Sequence, residues 1–243
     1  MNMLARILGL LLCCALIAVA GPAATAATTA KRAPVLVFGG SGQLGSEIVR
    51  ALVAKGYPVT VFLRPTSNRS RIERFKVSLV EGDVLQDADV ERAMKSQRFG
   101  IVINALGRSE SDYSFYASSG ESIARWAKAT GVRQVILHSS VGVGASRAAY
   151  PPGMFNERSA LFPAKEVAER ALIDSGVTYT IIRNAVLRDP LPQAPERARL
   201  SEDQTTFGVV SRRGLARLTL ECIDQARCAN RIFHAIDATL SLQ

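Results

Sequence analysis

Val35-Leu36-Val37-Phe38-Gly39-Gly40-Ser41-Gly42-Gln43-Leu44-Gly45 is the stretch that decides the fold. Four apolar residues run straight into a glycine turn, and the turn opens a segment in which Leu44, Ile48, Val49 and Leu52 recur at helical spacing. Glycines placed between a strand and a helix in this way signal a dinucleotide site. Their tasks differ. Gly39 permits the tight turn, Gly42 lets the backbone approach a pyrophosphate, and Gly45 lets the helix pack closely on the strand. The unpaired amides and partial positive charge of the helix N-terminus then bind phosphate. Gly40, Ser41, Gln43 and Leu44 complete this cofactor-binding turn. The rival phosphate loop is excluded, because Gly45 is followed by Ser46-Glu47 and not by Lys with Ser or Thr.

Downstream, short apolar runs alternate with amphipathic stretches, which predicts a parallel sheet covered by helices. Strands are expected at Val35 to Phe38, Val59 to Leu63, Val77 to Val80, Ile101 to Ala105, Val135 to His138 and Tyr179 to Ile182. Their Val, Ile, Leu and Phe content suits strands buried on both faces. Helices are expected at Gln43 to Lys55, Ala88 to Lys95, Glu121 to Thr130 and Ala164 to Ser175, with Gly56, Gly131 and Gly176 as stop signals. The run Asp189-Pro190-Leu191-Pro192-Gln193-Ala194-Pro195 reads as a loop. A strand near Thr205 to Val210, a helix from about Arg212 to Gln225 and a strand near Arg231 to Ile236 follow. The fold class is α/β, a Rossmann-type doubly wound parallel sheet with a small C-terminal extension on the substrate side. Residues 28–243 are expected to form one NAD(P)-binding domain, with ligands outside the carboxyl ends of the strands.

The end of the second strand bears on the choice of cofactor. An NAD site places a carboxylate there for the ribose 2′-hydroxyl, whereas an NADP site has Arg for the 2′-phosphate. No carboxylate lies between Glu47 and Glu73, and Phe62-Leu63 leads into Arg64-Pro65-Thr66-Ser67-Asn68-Arg69-Ser70-Arg71. The planar guanidinium fork suits phosphate. NADP is therefore favoured over NAD, with Arg64 as the reader.

The N-terminus has a different composition. Arg6 precedes an apolar run from Ile7 to Ala20, followed by Gly21-Pro22 and a small-residue tract from Ala23 to Ala30. This is the layout of a secretory signal peptide, with Ala18-Val19-Ala20 and Ala24-Thr25-Ala26 as cleavage options. The expectation for residues 1–27 is an export signal into the periplasm or medium. The alternative is a membrane anchor at residues 4–27, giving membrane association. Cys13 and Cys14 lie inside the run, so Cys222 and Cys228 would remain after cleavage, as a disulfide or as two unrelated thiols. Net charge is +9, but the 30 Lys and Arg are scattered, without the aromatic-interleaved basic run of a nucleic-acid groove. Nucleic acid is not an expected partner. Two well-separated histidines, His138 and His234, and no paired-cysteine motif make a metal site unexpected.

These features together resemble the atypical short-chain dehydrogenase/reductases with an NmrA-like NAD(P)H-binding domain. The resemblance runs through nearly the whole chain after Ala33: the glycine turn, Phe62-Leu63-Arg64, Glu81-Gly82-Asp83-Val84, Ile103-Asn104-Ala105-Leu106-Gly107, His138-Ser139-Ser140-Val141-Gly142-Val143-Gly144, Lys165 with Glu169, and Tyr179-Thr180-Ile181-Ile182-Arg183. It implies that Asp83 and Val84 flank the adenine, that Ala105, Leu106 and Gly107 line the adenosine side, and that Ser139 and Lys165 lie near the nicotinamide as candidate catalytic groups. Without the resemblance, Asp83 reads as a turn residue and Lys165 as a helix surface charge. There are two departures. The better-known relatives carry a Tyr four residues before the Lys, and here that position is Leu161, which cannot act as a general acid. Many relatives also have Arg-Pro-Gly where this chain has Arg183-Asn184-Ala185. The expected function is an NADPH-dependent reductase of a flavin, quinone or conjugated small molecule, with a non-catalytic NADP(H)-binding regulator or assembly factor as the alternative.

Overall fold

β1 (Val35–Phe38) shows how the fold is assembled, because its four residues are fully buried and divide by parity between two cores. Val35 and Val37 pack with Ile48, Val49 and Leu52 on one side; Leu36 and Phe38 pack with Val90, Ile123 and Ala127 on the other. Side chains alternate across a strand, so a strand apolar at every position must be covered on both faces. The computed structural model describes residues 32–107, 112–152, 160–189 and 196–241. The expected signal or anchor at residues 1–27, with Cys13 and Cys14, and the proline-rich loop at 190–195 lie outside the described residues.

The strands are β1, β2 (Val59–Leu63), β3 (Ser78–Glu81), β4 (Ile101–Asn104), β5 (Gln134–Ser140), β6 (Thr178–Asn184), β7 (Val186–Leu187), β8 (Arg199–Ser201), β9 (Val209–Val210) and β10 (Arg231–Ile236). The main sheet has the order β3-β2-β1-β4-β5-β6-β10-β8, parallel throughout except for the antiparallel β10–β8 pair. Its first six strands follow the order of a dinucleotide-binding sheet. Helices α1 (Gln43–Ala54) and α5 (Arg212–Glu221) cover one face. Helices α2 (Asp87–Lys95), α3 (Ser114–Ala129) and α4 (Leu161–Asp174) cover the other. The Rossmann-type α/β expectation holds. Gly56, Gly131 and Gly176 do end helices, with φ of 75°, 71° and 71°, a left-handed conformation that costs glycine nothing.

Several boundaries differ from expectation. β3 is an edge strand that is largely exposed, not buried on both faces. Helix α3 begins at Ser114, well before Glu121, because Ser119 and Gly120 are buried against α4 and packing outweighs the poor helix propensity of Ser and Gly. The strand expected near Thr205 shrinks to Val209–Val210, since Asp203 accepts from the Thr205 amide and hydroxyl and folds that segment into a turn. The last helix stops at Glu221, with Cys222 as its C-cap, and Asp224 turns the chain at φ 54°. Cys222 and Cys228 are joined in a buried disulfide with 5.4 Å between Cα atoms. The carbonyls of both cysteines accept side-chain hydrogen bonds, from Gln134 and Thr180 respectively, tying the bridge to β5 and β6.

Candidate functional site

A cleft of about 660 Å³ lies across the carboxyl ends of the central strands. Gly39, Ser41, Gly42, Gln43 and Leu44 line it, together with Arg64, Asp83, Val84, Ala105, Leu106, Gly107, Ser139 and Lys165. The other two residues of the turn lie beneath it. A Cβ on Gly45 would fall 2.0 Å from the Gly39 carbonyl oxygen, so Gly45 lets the helix fold onto the turn itself and not only onto the strand. Gly40 is closed in by Val61 at 2.7 Å from its would-be Cβ. Gly39 has φ 77° and accepts from the Gly42 amide at 3.0 Å, which completes the tight turn. Gly42 caps α1 in extended conformation, and no acidic residue occupies the first turn. The first amides of α1 have no acceptor within the helix, and with the helix dipole they make the glycine end of the cleft a seat for an anion.

Side chains shape the part of the cleft expected to take the adenosine. Phe62 lines the cleft and packs on Phe38 with ring centroids 5.0 Å apart. Asn104 Oδ1 accepts from the Leu106 amide at 3.1 Å and curls Ala105 to Gly107 over the strand end. Asp83 combines two readings: it lines the cleft, and its carboxylate accepts from the Leu85 amide at 3.0 Å, which is the turn role. The three guanidiniums after β2 separate in space. Arg64 lines the cleft with Thr66, Ser67 and Asn68; Arg69 pairs with Glu81; Arg71 lines a neighbouring groove.

The opposite end draws on four elements. Tyr116 comes from α3, His138 and Ser139 from β5, Lys165 from α4 and Asn184 from β6. Lys165 Nζ sits 4.6 Å from the centroid of the Tyr116 ring. Ser139 is buried, and among the described residues its Oγ has no hydrogen-bond partner. Thr219 donates its one hydroxyl proton to the Leu215 carbonyl at 2.7 Å, so it can only accept from His138 Nε2 at 3.0 Å. That fixes the His138 tautomer with the proton on Nε2 and leaves Nδ1 as a buried lone pair. Burial, and then the charge of Lys165, push His138 down to about 3, so the ring is neutral. Asn104, Ser119, Ser139 and Lys165 also border a void of about 10 Å³, the scale of a single water.

Leu161, at the position of the usual Tyr, is not in the cleft. It is buried with Val141, Val143, Tyr150 and Phe162 in a third apolar cluster. Arg183 forms a buried ion pair with Glu169 at 2.6 Å and donates to Gln204 at 2.8 Å, which fastens α4 to β6. The Asn184 that replaces a proline lines the cleft.

A glycine turn at the switch between β1 and β4, an anion seat at a helix N-terminus and an open cleft over the strand ends define a Rossmann-type dinucleotide-binding protein. The chain belongs to the NAD(P)H-binding family, whose model matches residues 39–226. It is 28% identical to "Protein TIC 62, chloroplastic" of Oryza sativa subsp. japonica over 237 residues, covering 86% of this chain and 47% of that protein. It is 22% identical to the isoflavone reductase homolog IRL of Zea mays, covering 84% of this chain and 68% of that one. The chain thus spans about half the length of the first of these relatives. Among solved structures, the anaerobilin reductase ChuY of Escherichia coli O157:H7 superposes with a TM-score of 0.75 at 21% identity, covering 86% of this chain and all of that one. A short-chain dehydrogenase/reductase of Veillonella parvula in complex with NADP gives 0.69 at 19% identity, covering 85% and 95%. The family match bears out the NAD(P)H-binding expectation, and the likenesses to the solved structures show the Rossmann fold.

Sequence reasoning missed Tyr116, His138, Asn184 and Arg212 as cleft residues. For His138 and Asn184 the signal was available, since both stand at the carboxyl ends of strands, where such ligands bind. Tyr116 gave none, because the helix that carries it was expected to start later.

Proposed function

We propose that the protein is an NADPH-dependent reductase that passes hydride to a flavin, quinone or other conjugated small molecule. One observation carries the cofactor choice: Arg64 lines the cleft beside Thr66 and Ser67, where an NAD site would have a carboxylate. The reductase part is supported by the reductases among its relatives and by the far end of the cleft, where a buried serine hydroxyl and an ammonium come together. On this reading the glycine turn holds the pyrophosphate, Asp83, Val84 and Ala105 to Gly107 hold the adenosine, and Lys165 holds the nicotinamide ribose. Ser139 hydrogen-bonds the acceptor. When bound, NADPH supplies the hydride, and the protein's contribution is orientation and exclusion of water.

The burial of Leu161 favours a second reading, a non-catalytic NADP(H)-binding regulator or assembly factor. Incubating the full chain with NADPH and a panel of quinones, flavins and linear tetrapyrroles separates the two. Oxidation of NADPH by any of these supports the reductase; tight binding without oxidation supports the regulator. We further propose that residues 1–27 direct export or anchor the protein at residues 4–27. The Cys222–Cys228 disulfide supports an oxidising compartment. A C-terminal reporter active only on one side of the membrane tests this.

A further inference from the structure

The usual phenol is missing from α4, but a phenol stands beside Lys165 all the same, supplied by a different helix. Tyr116 belongs to α3, lines the cleft, and carries Lys165 Nζ over its ring at 4.6 Å. The placement follows from helix packing. A Cβ on Gly120 would lie 2.3 Å from the Ala168 Cβ, so α3 and α4 approach at that point closer than any side chain on Gly120 would permit. Tyr116 lies one turn before Gly120 and Lys165 one turn before Ala168, each on the same helix face as its neighbour. The contact between Gly120 and Ala168 therefore brings the phenol to the ammonium. Ser139, buried and without a hydrogen-bond partner among the described residues, lines the same end of the cleft.

We infer that Tyr116 is the proton donor of this site, doing from α3 what Leu161 cannot do from α4. The inference rests on the reductase reading above. Bound NADPH supplies the hydride, whose two electrons form a new C–H bond on the acceptor and displace the conjugated electron pair onto its oxygen. Tyr116 then breaks its O–H bond and gives that proton to the oxygen. The resulting phenolate is stabilised by the Lys165 ammonium and regains its proton from solvent after the product leaves. Ser139 donates a hydrogen bond to the same oxygen. A cation held against the ring favours the phenolate, the condition general acid catalysis near neutral pH needs.

The test uses the full chain with Tyr116→Phe and Lys165→Met, and two readouts. In ultraviolet titration, the wild type should show one of its five tyrosines ionising below the ordinary value of about 10. That early transition should vanish in Tyr116→Phe and move upward in Lys165→Met. Five uniform transitions, or an early one that survives Tyr116→Phe, would overturn the inference. In turnover with 2-cyclohexenone, Tyr116→Phe should lower kcat by roughly 100-fold or more while NADPH affinity stays at the wild-type value. An unchanged kcat would overturn it as well. If the wild type reduces neither 2-cyclohexenone nor any acceptor of the panel above, it is the reductase reading that fails, and the titration alone decides whether Tyr116 and Lys165 act as a pair.

Discussion

At its glycine-rich end the cleft is made of backbone: a glycine turn, a helix N-terminus and amides without helical acceptors, all contained in eleven consecutive residues. At its other end it is assembled from side chains on α3, β5, α4 and β6, so positions from Tyr116 to Asn184 must be brought together by packing. The contrast shows what each end tolerates. A backbone site is broken by adding an atom where none fits, whereas a side-chain site is broken by loosening the elements that carry it.

The largest effect should come from the packed end. Arg183→Met strands the Glu169 carboxylate in a buried position, and losing one partner of such a pair costs roughly 3–5 kcal/mol. Urea unfolding should register that loss directly; a cost near zero would mean that α4 is not held to β6 by this pair. Next, Gly45→Ala places a methyl within 2.0 Å of a backbone carbonyl. Overpacking of this kind costs roughly 1–3 kcal/mol, and NADPH binding, followed by fluorescence, should be lost with it. An alanine variant that still binds would show that the turn can relax.

A smaller effect concerns pH. His138 titrates at about 3 in the folded protein, against an ordinary 6.5. Between those values the unfolded chain takes up a proton that the folded one does not, so its contribution is complete above about 6.5 and is lost as pH falls towards 3. The slope is at most about 1.4 kcal/mol per pH unit. His138→Asn should flatten the slope between pH 7 and pH 5 in urea titrations. His234, also shifted downward, first by burial, leaves a residual slope of the same sign. The smallest effect is expected at Arg69, whose pair with Glu81 is exposed. Arg69→Ala should leave NADPH affinity within about twofold of wild type, because exposed ion pairs contribute little. A larger loss would move the phosphate reader away from Arg64.

How much could be read beforehand follows the same division. β1, β2 and β10 and the start of α1 were legible to the residue, because apolar runs and glycines are local signals. The early start of α3 was not, since Ser118, Ser119 and Gly120 are poor helix formers whose helical state depends on α4. Arg64 could be singled out by its place at a strand end, whereas the engagement of Arg69 by Glu81 depends on the register of β2 against β3. The sequence left the cysteines open, and the approach of Cys222 to Cys228 is set by where α5 ends. The absence of Tyr at position 161 was plain in the sequence, but the phenol that stands beside Lys165 is visible only once two helices are packed.

The most direct measurement is a fluorescence titration of the full chain and of Arg64→Ala with NADPH and NADH in parallel. Wild type should bind NADPH more tightly than NADH by roughly tenfold or more, equivalent to about 1.4 kcal/mol, and Arg64→Ala should erase the difference by weakening NADPH alone. Equal affinity of the wild type for both nucleotides would contradict the account.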